Sequence, residues 1–314
     1  MKLLDNRPLA AFCVVCFIWG TTWMATKVAI AVVPPLFVAG TRFLVAGCLM
    51  TAAGLRQGGP AFRRADIGRL LAASVLMIVL CYGPLLWGMQ FIESGMSAVI
   101  EMSLTPVALL VCAVALGDEM LSWRKIIALV VGIAGVLVMF LPDLGQWASH
   151  PGAGVMRIVG GVAVALSAFT YGLGSVLARP LLRVYSPTLL SGLTTLIGGA
   201  VLLATSLAFE PGAHAALRLD WGLGPWLGWL YLTVVGSLVA FVLYMRLLRD
   251  LGASKSGNFA FVSPAIAVLV GAVGLGETIP AISWLGMAIM LAAAFISLHG
   301  KDGSGGTKRD VAAP

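Results

Sequence analysis

Runs of about twenty apolar residues, separated by short polar or glycine- and proline-bearing links, recur along the chain, and a bilayer-crossing helix needs roughly that length. Ten such runs are read, at 11–33, 35–55, 68–90, 95–116, 123–141, 157–179, 187–208, 224–247, 255–275 and 279–298. Glycine and proline inside them do not argue against helix, because neighbouring helices and waters satisfy the freed backbone groups. The pattern predicts an all-α integral membrane protein with ten transmembrane helices.

The runs fall into two sets of five with matching punctuation. Trp19-Gly20, Lys27 and Pro35 recur 152 positions later as Tyr171-Gly172, Arg179 and Pro187. Trp87 and Gly95 recur 157 later as Tyr244 and Gly252; Pro106 and Glu119 recur 158 later as Pro264 and Glu277; Ser122-Trp123 recur 161 later as Ser283-Trp284. Five crossings is an odd number, so the second copy enters the bilayer from the opposite side. The expected architecture is a 5+5 inverted repeat, a plan on which many transporters are built. Its parts are an N-terminus at 1–10, a first five-helix repeat at 11–141, an outer connecting loop at 142–156, a second repeat at 157–298 and a disordered tail at 299–314.

Composition fixes the solvent, and charge fixes the orientation. Sixty per cent of residues are apolar and 11% charged, against about 25% charged in a soluble domain, and the mean hydropathy is +1.01. With both termini cytoplasmic, sixteen of the 20 basic residues lie inside: Lys2, Arg7, Arg56, Arg63, Arg64, Arg69, Arg124, Lys125, Arg179, Arg183, Arg246, Arg249, Lys255, Lys301, Lys308 and Arg309. The reverse orientation would violate the positive-inside bias. The net charge of +7 is thereby explained by topology, and the scatter of basic residues over many short loops leaves no nucleic-acid groove. The first run is too long and too interrupted, by Trp19, Gly20, Thr21, Thr22 and Lys27, for a cleaved signal.

Residues four apart share a helix face. Trp19, Trp23 and Lys27 make one stripe in the first span, and the repeat maps them onto Tyr171, Ser175 and Arg179. Ser97, Glu101 and Thr105 make a second in span 4, and Ser254 and Asn258 a third in span 9. Polar stripes on apolar helices should face one another or a wet cavity rather than lipid. Tyr82, Trp87 and Tyr244 join the candidate cavity residues. Trp147, Trp221 and Trp226, near span ends or in the outer loop, are expected to anchor at the interface.

Lys27, Arg42 and Glu101 are the charges within spans, all roughly 9–11 Å below the outer boundary at 1.5 Å per residue. Two cations and one anion at one depth invite pairing. In a functional reading Glu101 takes a substrate amine or a proton while Lys27 or Arg42 takes a carboxylate; in the structural one a salt bridge fixes packing. Arg42 is assigned to structure, as are Glu119 and Glu277, each beside the positive first turn of the following helix. Pro106 and Pro264, near mid-membrane, each remove one helical hydrogen bond and are candidate hinges. Ala128-xxx-Gly132 and Ala288-xxx-Ala292 permit close helix approach, within the chain or in a weak homodimer; a monomer is equally expected.

Other chemistries find little support. Cys13, Cys16, Cys48, Cys81 and Cys112 all lie in apolar runs, and the Cys13/Cys16 spacing has neither a second pair nor a nearby histidine to complete a metal site. His150, His214 and His299 fall in loops or at a span end, so no histidine-based catalytic set or metal site assembles. No cofactor is implied. No ring of acids or filter segment favours a channel, and a scaffold would not need repeated polar stripes.

The order of these motifs resembles the EamA group of the drug/metabolite transporter superfamily. The resemblance rests on Phe17-Ile18-Trp19-Gly20-Thr21-Thr22-Trp23, Lys27, Pro35 and Arg42-Phe43, then Ser103-Leu104-Thr105-Pro106 and Leu116-Gly117-Asp118-Glu119, and in the second half Ser263-Pro264 and Gly276-Glu277. It covers about residues 10–298. It implies a central cavity lined by spans 1, 3, 4, 6, 8 and 9, and export of amino acids or other small metabolites. An acid at Glu101 departs from the group, where that position is commonly small or polar. The expectation is an inner-membrane secondary transporter, not an enzyme, exporting amino acids, aromatic or other apolar ones included, by alternating access. The alternatives are a multidrug or lipophilic-cation exporter with Glu101 as counter-ion and, from another class, a channel or scaffold.

Overall fold

The computed structural model describes residues 7–91, 94–139, 141, 154–275 and 280–298. Its principal helices are α1 (Arg7–Ala29), α2 (Pro35–Arg56), α3 (Arg64–Gly88), α4 (Ser94–Ala115), α5 (Trp123–Met139), α6 (Gly154–Leu182), α7 (Pro187–Phe209), α8 (Leu223–Leu251), α9 (Phe259–Leu275) and α10 (Ala281–Leu298). No strand occurs among the described residues. Eight candidate spans there are long and apolar enough to cross a membrane, the ninth helix counted with the short Ala253–Gly257 turn before it. The expected loop residues 142–153, Trp147, Glu277 and the tail lie outside the described residues.

Proline sets the first boundary. Pro34 is extended (φ −55°, ψ 133°) and Pro35 opens α2, since a proline at the first helical position loses no needed N–H and disfavours helix in the residue before it. The first helix therefore ends at Ala29 rather than 33 and begins earlier, at Arg7. Pro187 opens α7 in the same way, with the Ser186 hydroxyl accepting from the Leu189 amide at 3.2 Å. The start of α2 lacks a side-chain cap of its own. Instead Glu210, just beyond α7, accepts from the Leu36 and Phe37 amides at 2.9 and 3.0 Å, placing its charge on the positive end of the helix.

Packing between the two halves of the chain follows exchangeable pairs. α1 packs on α8 and α9, and α6 packs on α3 and α4; α2 runs along α7, and α5 along α10. Gly20 and Gly172 mark one pair of equivalent close approaches. A Cβ on Gly20 would sit 2.8 Å from the side chain of Ile266, and one on Gly172 would sit 2.8 Å from that of Ala108. Ile266 and Ala108 are themselves 158 positions apart, the interval between Pro106 and Pro264. The repeated Trp-Gly and Tyr-Gly pairs thus mark where the first helix of one half touches the fourth helix of the other.

α3 and α8 each contain a widened turn with i→i+5 hydrogen bonding, at Val75–Val79 and Leu232–Val239. Their starts are 157 residues apart, the interval between Trp87 and Tyr244. Such turns interrupt α-helical geometry locally and are frequent at functional sites. Between α5 and α10 the close contact is made by Gly135 and Gly286. Ala128 and Gly132 are buried within the chain, whereas Ala288 and Ala292 face outward, so that stripe is not part of the α5–α10 seam. Trp221 is buried rather than anchored at a surface: it stacks on Trp226 at 4.3 Å, and its indole donates to the Ala216 carbonyl at 2.9 Å.

Candidate functional site

A cavity opens from the middle of the bundle toward the end that carries the α1–α2 turn. Trp19, Thr22, Trp23, Thr26 and Ile30 supply its α1 wall, and Pro35, Val38, Ala39 and Arg42 its α2 wall. Cys81, Tyr82 and Met89 come from α3 and the turn after it, Glu101 and Thr105 from α4, Tyr171 from α6, and Phe259 and Ser263 from α9. Beneath Trp19 lie Phe259, with ring centroids 4.4 Å apart, and Tyr244, 5.2 Å away. Tyr244 is fully buried and donates to the Ser175 hydroxyl at 2.9 Å. These rings separate the cavity from the opposite end of the bundle.

Two charged side chains share this largely apolar space. The Arg42 guanidinium lies over the Phe43 ring, 4.3 Å from its centroid, and 5.2 Å from that of Tyr82, a placement worth ~0.5–2 kcal/mol in cation–π attraction. One Glu101 carboxylate oxygen, Oε2, is buried and accepts no hydrogen bond. Among the described residues no ion pair joins Glu101 to Lys27 or Arg42. The expected pairing is absent among the described residues, and both side chains stand on the cavity wall.

Of the candidate cavity residues, Trp19, Trp23, Tyr82, Glu101, Thr105 and Tyr171 line this space. Tyr244 and Ser175 form the hydrogen-bonded layer below it. Ser97 is buried off the cavity wall. Asn258 is buried and donates to the Ser254 and Lys255 carbonyls and to the Ser297 hydroxyl, tying the start of α9 to α10. Trp87 is 40% exposed and packs on Phe91. Lys27 is exposed and outside the cavity. Pro106 and Pro264 lie inside continuous helices.

Helical arithmetic explains Lys27. At roughly 100° per residue, Thr26 and Ile30 fall within about 20° of Trp19, whereas Lys27 is rotated about 80° away. The same spacing puts Arg42 close below Pro35 on the cavity face of α2. An apolar helix with Arg42 as its one interior charge gave no sequence signal of which face it turns inward. Thr22, Thr26 and Ser263 carry no sequence signal of this face either, although Thr22 and Thr26 lie three residues from Trp19 and Trp23 on the same face.

At the opposite end, Asp118 and Glu119 meet residues from the second half of the chain. Arg179 Nη1 donates to Asp118 Oδ2 and lies 3.8 Å from Glu119 Oε1. Glu119 accepts from Lys125 Nζ at 2.8 Å, from the Ser254 amide at 3.1 Å and from the Ser254 hydroxyl. Burial alone would lift the Glu119 carboxyl; the hydrogen bonds from Lys125 and Ser254 outweigh it and hold it below the usual carboxylate value.

The profile of the EamA-like transporter family matches twice, over residues 7–141 and 158–298. The chain belongs to the EamA-like transporter family. Proteins similar to it include YedA of Escherichia coli strain K12, named an uncharacterized inner membrane transporter, at 28% identity over 312 residues and covering 96% of this chain and 94% of YedA. YoaV of Bacillus subtilis, named an uncharacterized transporter, is 25% identical over 289 residues, covering 90% and 94%. A crystal structure superposes with a TM-score of 0.73 at 19% identity over 93% of this chain and 97% of that one, a likeness of fold alone. The EamA-like chain is thus a membrane transporter of the drug/metabolite transporter superfamily.

Proposed function

We propose that the protein is an inner-membrane secondary transporter that exports small amphipathic metabolites, amino acids foremost, by alternating access. The architecture we assign is a 5+5 inverted repeat, 11–141 and 157–298, with both termini cytoplasmic. The exchangeable helix pairs and the repeat-spaced Gly20/Ile266 and Gly172/Ala108 contacts support it, and the positive-inside bias supports the orientation. Pro106 and Pro264 are the proposed hinges.

One observation carries the substrate reading. Glu101 and Arg42 stand on one cavity, neither held in an ion pair with the other, among Trp19, Trp23, Tyr82 and Tyr171. Ligand sites are predominantly apolar with a few placed polar groups that fix orientation. An acid for an ammonium, an arginine for a carboxylate and aromatic rings for an apolar side chain together match an amino acid. A lipophilic cation would use Glu101 but would be opposed by Arg42 on the same cavity, which makes it the second reading.

Counterflow into proteoliposomes, with a panel of radiolabelled amino acids and lipophilic cations, tests this. Accumulation of amino acids by wild-type protein, lost in both Glu101→Gln and Arg42→Gln, is the expected result. Accumulation of cations alone, with Arg42→Gln fully active, would select the second reading.

A further inference from the structure

We infer that Asp118, Glu119, Arg179 and Ser254 form a charged latch which closes the cytoplasmic end of the transporter and sets the balance between its two access states; this rests on the alternating-access reading. The cluster lies beyond the cavity floor, past the Trp19, Phe259 and Tyr244 rings and the Tyr244–Ser175 hydrogen bond. Ser175 and Arg179 are one helical turn apart on α6. The closed end is therefore built in layers: aromatic, then neutral polar, then ionic.

The Arg179–Asp118 and Ser254–Glu119 bonds cross between the halves, while Lys125, of the same half as Glu119, donates to it at 2.8 Å. Asp118 and Glu119 belong to the α4–α5 link of the first half; Arg179 ends α6 and Ser254 lies between α8 and α9, both in the second. Arg179 also donates through Nε to the Leu248 carbonyl at 3.1 Å, which fixes its head against α8. Gly252 has φ 87°, and a Cβ there would lie 2.7 Å from Glu119 Oε1, so the backbone at this position is shaped around the carboxylate. Arg183, 3.7 Å from Asp118 but 70% exposed, adds little.

The cluster has the chemistry of a contact that opens. The Arg179 and Asp118 side chains are 15% and 12% exposed. Water can reach both charges as they part, whereas a fully desolvated pair would leave each charge stranded. The other seam between the halves is of a different kind. α2 and α7 pack along their lengths, fastened at one end by Glu210 on the Leu36 and Phe37 amides. At the other end the Tyr185 hydroxyl donates to Asp66 at 2.7 Å and accepts from the Arg63 amide at 3.0 Å. That seam is suited to be the pivot and the ionic cluster to be the side that parts. Lys27, which occupies the place of Arg179 in the first half, is exposed and makes no ion pair among the described residues. Among the described residues, such a pair holds only the end away from the cavity mouth.

Hydrogen–deuterium exchange on the purified full-length protein tests the latch without any substrate. Arg179→Gln, and separately the near-isosteric Asp118→Asn, should speed exchange several-fold in 116–126 and 248–258 while slowing it around 30–36 and 210–222, because opening one end closes the other. Exchange that is unchanged at both ends, or faster at both as in a loosened fold, overturns the latch. If Arg179→Gln fails to fold, Asp118→Asn decides alone. A failed counterflow assay with normal opposite-sign exchange would instead count against the substrate reading and leave the latch standing.

Discussion

Thr170 shares its hydroxyl proton between the Leu80 carbonyl and the Ser167 carbonyl of its own helix, each at 2.9 Å, and the Leu80 carbonyl is the one Pro84 leaves without its helical N–H partner. α6 thereby completes a hydrogen bond that α3 cannot make for itself, just after the widened turn at Val75–Val79. A carbonyl freed by proline inside a bilayer needs such a partner.

Thr170→Val keeps the side-chain volume and removes the donor. The expected loss is about 1 kcal/mol, in the range of hydrogen bonds between membrane helices, read as a lower midpoint of thermal unfolding in detergent. Pro84→Ala should make the Thr170→Val change nearly neutral, since the alanine N–H can again reach Leu80. Equal losses from Thr170→Val in both backgrounds would refute the link between the two residues.

The crossings at Gly20 and Gly172 predict a paired outcome. Each has a non-helix-own contact at 2.8 Å from a Cβ that is not there, so Gly20→Val and Gly172→Val both force α1 from α9 or α6 from α4. Overpacking of this sort costs roughly 1–3 kcal/mol. Both variants should lose monodisperse protein on size exclusion, while Gly68→Val, where a Cβ meets nothing within 4 Å, should not. A well-behaved Gly20→Val would show that α1 and α9 can separate at that point without cost.

How much of this was legible depends on which interaction decides each feature. Helix existence follows from hydropathy, a local property, and the Pro35 and Pro187 starts follow from the proline ring. The α1 stripe was legible as far as Trp19 and Trp23, but a strict four-residue step drifts about 40° each time, and by Lys27 it has left the cavity face. Arg42 was unreadable because the inward face of α2 is set by its packing on α7. The pairing expected of Glu101 assumed that charges at equal depth also face one another, which depends on helix rotation. The widened turn in α8 has no proline near it and left no local trace. Glu119 and Arg179 were both visible as repeat-spaced residues; their meeting depends on how the two halves close.

The Glu119 environment gives a pH prediction with a definite sign. Its carboxyl is held below the ordinary value of 4.5, so the folded state binds its proton more weakly than the unfolded state does. Its contribution is fully present above that ordinary value and is lost as pH falls through the lower folded one. Thermal stability in detergent should show no Glu119-dependent change between pH 8 and 6, and the gap between wild type and Glu119→Gln should narrow only in acid. The gap itself should be about 1–3 kcal/mol, as for hydrogen bonds to a charged group. A gap that closes already near neutral pH would contradict the bonding described for Lys125 and Ser254.

Arg42→Lys separates charge from shape in the cavity. The lysine keeps the positive charge but loses the planar fork that can meet a carboxylate with two parallel hydrogen bonds, and it stacks less well on Phe43 and Tyr82. If a substrate carboxylate docks on Arg42, Arg42→Lys should raise the apparent KM for an amino acid about tenfold, the equivalent of ~1.4 kcal/mol. Arg42→Gln should abolish its transport. Esterified or decarboxylated analogues, which lack the carboxylate, should be transported equally by wild type and Arg42→Lys. A purely packing role predicts the reverse ranking, because glutamine is the closer match in size to a stacked, uncharged plane. Uptake measured for the acid and its ester in the same proteoliposomes distinguishes the two, and identical KM changes for both would remove Arg42 from the binding site.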